Sequence, residues 1–298
     1  QLVVYVGGAA IAAWILLQSL PGGWAGALPG LEAAGKLTVL DFGWSWERPY
    51  TFWAGILGGA LLTMATHGTD QIFVQRLLAC RSAADARKAV VMSGVLVFGQ
   101  MALFLLIGSL LLAFYAEFPP ATPFESADQV FARFIATELP SGLGGLVIAA
   151  VFAAAMSTLS SSMSSLASAS TFDFGRSREE SDESALRASR VLTAGWAGAL
   201  AAVAVLARAW GSVLEAGLTI TSITFGPVLG VFGLAVAGRA VRETGVLGAR
   251  GGGLAVAAGA HLLTPRAWPW LTPLGAAATF GRGWPLGGRD DQPPPPAG

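Results

Sequence analysis

With 298 residues, 54% of them hydrophobic and only 12% charged, at a mean hydropathy of +0.61, the chain has too little charge to coat a globule of its size. It is expected to sit in lipid. The 18 basic residues balance the 18 acidic ones, and with no basic patch or interleaved aromatics a nucleic-acid partner is excluded. A single cysteine, Cys80, rules out an internal disulfide or a cysteine-rich metal site, and His67 and His261 stand too far apart in sequence to suggest shared metal ligation.

Residue 1 is Gln, and the apolar run Leu2 to Leu17 has neither a charged lead-in nor a small-residue cleavage pattern. It is read as a membrane helix entered part-way, not as a signal peptide, and the chain is expected to be a fragment lacking its front. Apolar runs near the ~20 residues that cross a bilayer predict helices at about 1 to 19, 52 to 75, 88 to 116, 142 to 171, 188 to 208 and 212 to 238. Two shorter runs, 252 to 264 and 267 to 283, predict a final pair or hairpin. These runs predict an all-α membrane protein of about 6–8 transmembrane helices in one domain, 1–288, and no soluble domain is expected. The tail 289–298, with its four prolines in a row, is expected to be disordered or extended.

Of the 18 basic residues, only Lys36, Arg48, Arg133, Arg208 and Arg266 fall on one set of alternate loops, and the rest fall on the other set. The positive-inside rule makes the richer set cytoplasmic, so loops 20 to 51 and 117 to 141 face outside and 76 to 88 and 172 to 187 face inside. Within 117 to 141, Val130, Phe131, Phe134, Ile135 and Leu139 recur at helical spacing ahead of Pro140. That predicts a short amphipathic helix over Ser126 to Leu139, either packed on the bundle or closing an outer vestibule. Segment Arg176 to Arg190 mixes both charges and reads as a solvated connector.

Two stretches carry candidate chemistry. Ala153 to Ser165 sets a dense hydroxyl run directly after the apolar Leu143 to Phe152, with no charge before Asp173. The Ala154 carbonyl and the Ser157 and Thr158 hydroxyls lie one helical turn apart, so their oxygens can converge on a small hard cation. Thr158 can also share the Ala154 carbonyl through a bond four residues back, leaving one lone pair free. On spacing alone, close helix packing with hydroxyls as interhelical glue is the favoured alternative.

The second stretch is Thr66-His67-Gly68-Thr69-Asp70-Gln71, which follows the apolar run Ala54 to Met64. Polar groups at membrane depth are costly and therefore functional candidates, Thr63, Thr66 and His67 above all. Asp70, Gln75 and Arg76 read better as an interfacial cap. Gly55, Gly58, Gly59 and Gly68 weaken the helix, and an unwound turn there would free backbone groups for a ligand. Gln100, in the middle of its span, is an equal candidate for a pocket or a helix-helix hydrogen bond; for Thr219, Thr221, Ser222 and Thr224 the helix-helix bond is favoured.

Taken in order, four stretches resemble the sodium/solute symporter family: Gly68-Thr69-Asp70-Gln71 with Val74-Gln75-Arg76; Leu105-Leu106-Ile107-Gly108; Ala153 to Ser165 with Asp173; and Gly226-Pro227-Val228-Leu229-Gly230-Val231-Phe232. The resemblance implies a partial leucine-transporter-like inverted-repeat bundle, from about the fifth core helix onward. It implies Na+ ligation by Ala154, Ser157 and Thr158, and solute contacts from Thr63, Met64, Thr66 and His67 on a helix broken near mid-membrane, with Gln100 as a further candidate. Sugar-transporting members have bulky aromatics just before the Gly-Thr-Asp-Gln motif. Here Ala65, Thr66 and His67 stand in their place, so an aromatic gate over a sugar is not expected.

The function expected is sodium-coupled symport of a small organic solute across the cytoplasmic membrane, in a multi-pass protein of a bacterial inner membrane. Na+ is the coupling ion and no other cofactor is expected; the solute, Na+ and lipid are the partners, and no oligomeric state is specified. An enzyme is not expected, since no nucleophile with a base, metal cluster or phosphate-cradling loop is visible. The alternatives are a symporter-like membrane sensor or regulatory domain, or a nonfunctional transporter fragment.

Overall fold

The computed structural model describes residues 2–140, 142–174, 182–207 and 212–289. The proline tail and much of the charged connector therefore lie outside the described residues. The chain is almost wholly helical. In order come α1 (Leu2–Ser19), α2 (Gly23–Ala33), a π-helical turn (Ala54–Gly59) leading into α3 (Ala60–Thr69), α4 (Gln71–Leu78), α5 (Ala83–Glu117), α6 (Asp128–Thr137), α7 (Leu143–Phe174), α8 (Asp182–Ala207), α9 (Val213–Val236), α10 (Glu243–Leu263) and α11 (Leu271–Gly283). Two three-residue strands, β1 (Arg239–Val241) and β2 (Gly287–Arg289), pair antiparallel.

Among the described residues, five helices are long and apolar enough to cross a membrane: Ala83–Glu117, Leu143–Thr171, Leu186–Ala207, Val213–Val236 and Glu243–Leu263. A sixth candidate is Val6–Ser19 with Gly23–Ala33, a pair bent by 90°. The bend revises the expected outer loop 20 to 51, which holds α2. Pro21 cannot continue α1 with a backbone donor, and Gly22 and Gly23 take φ of 72° and 58°, a conformation that favours glycine.

The chain divides into two compact units, residues 1–37 with 96–213 and residues 38–95 with 214–298. In the first, Leu16 of α1, Leu31 of α2, Ile107 and Leu110 of α5 and Phe134 of α6 form a fully buried core. The amphipathic α6 matches its expected pattern, with Phe134 and Ile135 turned inward. Helix α8 pairs with α7, where the Trp196 indole donates to Ser170 Oγ at 3.0 Å.

In the second unit α10 and α11 form the expected hairpin, although α10 starts at Glu243, well before 252. Helix α10 stops at Leu263, just ahead of Thr264-Pro265, where the residue before proline is driven out of the helical region. Helix α9 lies along α11: a Cβ on Gly230 would stand 2.6 Å from the Ala276 carbonyl oxygen and from Thr279 Cβ, so only glycine fits. Loop 38–53 folds over one end of the hairpin. There the Ala267 amide donates to the Trp46 carbonyl at 2.8 Å, the Trp270 indole donates to the Ser45 carbonyl at 2.9 Å, and Tyr50 Oη donates to Glu215 at 2.9 Å. The β1–β2 ribbon joins the two chain segments that flank the hairpin.

Candidate functional site

The predicted site residues divide between the units. Thr63, Met64, Thr66 and His67 belong to the second; Gln100, Ala154, Ser157 and Thr158 belong to the first.

In the second unit, the span expected at 52 to 75 is not a single rod. It opens with the π-helical turn over Ala54–Gly59, runs as α3 to Thr69, breaks at Asp70 and resumes as α4. The expected unwinding at the glycines is thus replaced by a widened turn, whose i→i+5 pairing keeps backbone bonds made. Gly58 within it presses on the Pro269 carbonyl with no room for a side chain.

The true interruption is at Asp70, with extended dihedrals of φ −78° and ψ 121°. Its carbonyl accepts the amides of Phe73 at 3.1 Å and Val74 at 2.9 Å. Asp70 therefore stands at the N-cap of α4, a position that aspartate favours. That signal was available in the sequence and was not used there.

Just before the break, the polar groups of α3 draw together. Thr66 Oγ1 donates to the Thr63 carbonyl at 3.1 Å, and the His67 Nδ1 lies 3.1 Å from the same carbonyl and 3.3 Å from Thr66 Oγ1. The His67 ring stacks on Phe73 across the break, with centroids 4.5 Å apart. Thr69 Oγ1 donates to the Ala65 carbonyl at 2.6 Å. Met64 is exposed, and Thr66 and His67 are half-buried. The arrangement leaves the imidazole Nε2 as the ring atom with no intrahelical tie among the described residues. Such a group can donate to, or accept from, a polar solute.

In the first unit, Ala154 is buried while Ser157 and Thr158 are exposed on α7. The expected bond from Thr158 Oγ1 to the Ala154 carbonyl is not formed. Thr158 instead accepts Ser161 Oγ on its carbonyl at 2.9 Å, and neither its own hydroxyl nor that of Ser157 has a hydrogen-bond partner among the described residues. Uncommitted hydroxyl oxygens beside a helix carbonyl are the hard ligands an alkali cation takes. Gln100 on α5 is half-buried, and its side chain too has no hydrogen bond among the described residues.

Two of the cavities among the described residues lie elsewhere. One of about 680 Å³ is lined by Ser19, Phe114, Tyr115, Phe118, Arg133 and Glu138, among others, and one of about 210 Å³ by Trp46, Glu47, Thr264, Pro265 and Arg266. Neither includes a predicted site residue.

Compared with known families, the chain matches the sodium:solute symporter family over residues 47–253. The chain belongs to that family. Its symporter relatives include the human sodium/iodide cotransporter, 29% identical over 85% of this chain and 41% of that protein. The rabbit (Oryctolagus cuniculus) sodium-dependent multivitamin transporter is 35% identical over 61% of this chain and 30% of its own length. The sodium/sialic acid symporter NanT of Aliivibrio fischeri is 29% identical over 66% of this chain and 40% of its own length. The chain thus spans less than half the length of these relatives.

A solved structure of a Na+-coupled sialic acid symporter in a substrate-bound outward-open state superposes with a TM-score of 0.75 at 23% identity, over 94% of this chain and 59% of that one. The fold is therefore that of the leucine-transporter-like symporters, as the ordered motifs implied. With its several apolar helices, this member of the family is a multi-pass membrane protein.

Proposed function

We propose that this chain works in sodium-coupled symport of a small organic solute across the cytoplasmic membrane, with Na+ as the coupling ion. The reading rests most heavily on α7. In a span with almost no charge, the Ser157 and Thr158 hydroxyls are exposed beside the Ala154 turn, with no hydrogen-bond partner among the described residues. Unpaired polar groups turned toward hydrocarbon are costly, so this face favours an ion, water or another polar segment over lipid. The Ala154 carbonyl, Ser157 Oγ and Thr158 Oγ1 then act as Na+ ligands, completed by groups from elsewhere in the protein.

The solute is held near Thr63, Met64, Thr66 and His67; Gln100, in the other unit, is a separate candidate contact. A helix interrupted at Asp70 supplies a point where Na+ occupancy and solute binding can shift a conformational equilibrium. The process is transport, not bond-making chemistry. The named relatives carry iodide, vitamins or sialic acid, so their names set no single solute class. The basic-residue asymmetry supports cytoplasmic placement of loops 76 to 88 and 172 to 187, and a bacterial inner membrane is the proposed location.

The test is direct binding of radioactive sodium to the purified chain in nanodiscs. Thr158→Ala is expected to weaken Na+ binding by about tenfold, or about 1.4 kcal/mol. Unchanged Na+ affinity in both Thr158→Ala and Ser157→Ala would sink the ligand assignment.

A further inference from the structure

The arginines of this chain fall into two kinds. Several are committed within the protein: Arg48 pairs with Asp41, Arg133 donates to the Thr122 carbonyl and hydroxyl, and Arg239 and Arg266 lie over the rings of Trp284 and Trp46. Those at the start of α5 and just before it are different. Arg76, Arg81, Arg87 and Lys88 are all exposed, and none has a side-chain hydrogen bond, ion pair or ring contact among the described residues.

The acid among them, Asp85, is already occupied. It accepts Ser82 Oγ at 2.9 Å while its amide donates back to that oxygen at 3.1 Å, closing the first turn of α5. Apolar side chains flank the cations on both sides in sequence: Leu78 is 79% exposed, and Val91 and Met92 are 62% and 60% exposed. A stretch of exposed, uncommitted cations bordered in sequence by exposed aliphatic side chains matches the boundary between headgroups and acyl chains.

We propose that the end of α4 and the start of α5 form a clamp for the headgroup of an anionic phospholipid. Arg81, Arg87 and Lys88 take the phosphate, Arg76 adds to the field, and Leu78, Val91 and Met92 lie against the acyl chains. Charge complementarity selects this occupant. Guanidinium donors match phosphate oxygens, and a juxtamembrane cluster of this kind draws anionic lipid from the leaflet beside it. Because α4 begins at the Asp70 interruption, lipid held here steadies the segment that follows the break. The proposal is independent of the sodium assignment on α7.

The chain in neutral detergent would be titrated with short-chain phosphatidylglycerol, phosphatidylcholine or inorganic phosphate, with bound lipid counted by native mass spectrometry and the thermal midpoint followed in parallel. Phosphatidylglycerol is expected to be retained and to raise the midpoint, and the triple change Arg81→Gln, Arg87→Gln, Lys88→Gln to weaken that retention at least tenfold. The pair Arg242→Gln, Arg250→Gln, exposed cations on another helix and its approach, should leave it intact. In the unaltered protein, raised salt should release the lipid, which checks the charge dependence without any substitution. Equal retention of phosphatidylcholine, equal loss in the Arg242/Arg250 pair, full retention in the triple variant, or an equal midpoint rise with inorganic phosphate alone would each overturn the proposal.

Discussion

Helices α7 and α9 are both spans rich in small and hydroxyl-bearing residues, yet their environments differ. About a third of the α9 window is buried, 33%, against 6% for α7. On α9, Thr219, Thr221 and Thr224 donate to the carbonyls of Glu215, Gly217 and Ile220, four residues back, while Gly226, Gly230 and Gly233 pack on α11. On α7, Ser157 and Thr158 make neither kind of contact. A hydroxyl in a membrane helix is therefore informative only once its bond is known: satisfied within its helix it is inert, and unsatisfied it seeks a ligand.

The largest expected effect tests the packed helix. Gly230→Val would drive a side chain into the Ala276 carbonyl and Thr279 and should cost about 1–3 kcal/mol or more, read as a lower unfolding midpoint in detergent. A stable Gly230→Val protein would break the distinction between the two helices. Next comes Thr158→Ala, whose loss should appear in Na+ affinity while the unfolding free energy stays within about 0.5 kcal/mol of the unaltered chain, as for a side chain with no hydrogen-bond partner among the described residues. The smallest effect is Thr221→Val, which removes only an intrahelical bond and should leave both Na+ affinity and stability within about 0.5 kcal/mol.

One further measurement sharpens the contrast at the N-terminal end of α9. Burial, then the hydrogen bond to Glu215 and that residue's charge, raise the Tyr50 hydroxyl above its ordinary 10.0. A phenol whose folded value is raised stays protonated, so the tie to Glu215 is fully present below about pH 10 and is lost only as pH climbs through the raised value. Phenolate absorbance should thus show Tyr50 titrating late, and Tyr50→Phe should remove its share of the late-titrating absorbance.

Hydropathy alone placed most helices within a few residues, because burial in lipid is an additive property of a window. It placed α10 too late, since Glu243, Arg250 and the glycines 251 to 253 dilute the apolar signal. Two of those glycines meet α11 directly: a Cβ on Gly252 would run into Arg282 and one on Gly253 into Thr279. The hydroxyl run and the Thr63 to Asp70 stretch were visible as unusual chemistry at membrane depth. The bond that Thr158 does not make, and the bonds that the α9 threonines do make, were not visible, because spacing permits a back-bond in each case without deciding it.

What the sequence determined by itself is residence in a membrane, the ordered motifs of a symporter, and which segments carry polar atoms into an apolar span. These follow from local composition and period, which act residue by residue along the chain. Only the tertiary structure decided that the helix ahead of α4 widens at Ala54–Gly59 and breaks at Asp70, that α1 and α2 meet at 90°, and which hydroxyls are left unspent. Several of those outcomes depend on atoms far apart in sequence: Gly58 meets Pro269, Tyr50 meets Glu215 and Gly230 meets Thr279 only after the chain has folded.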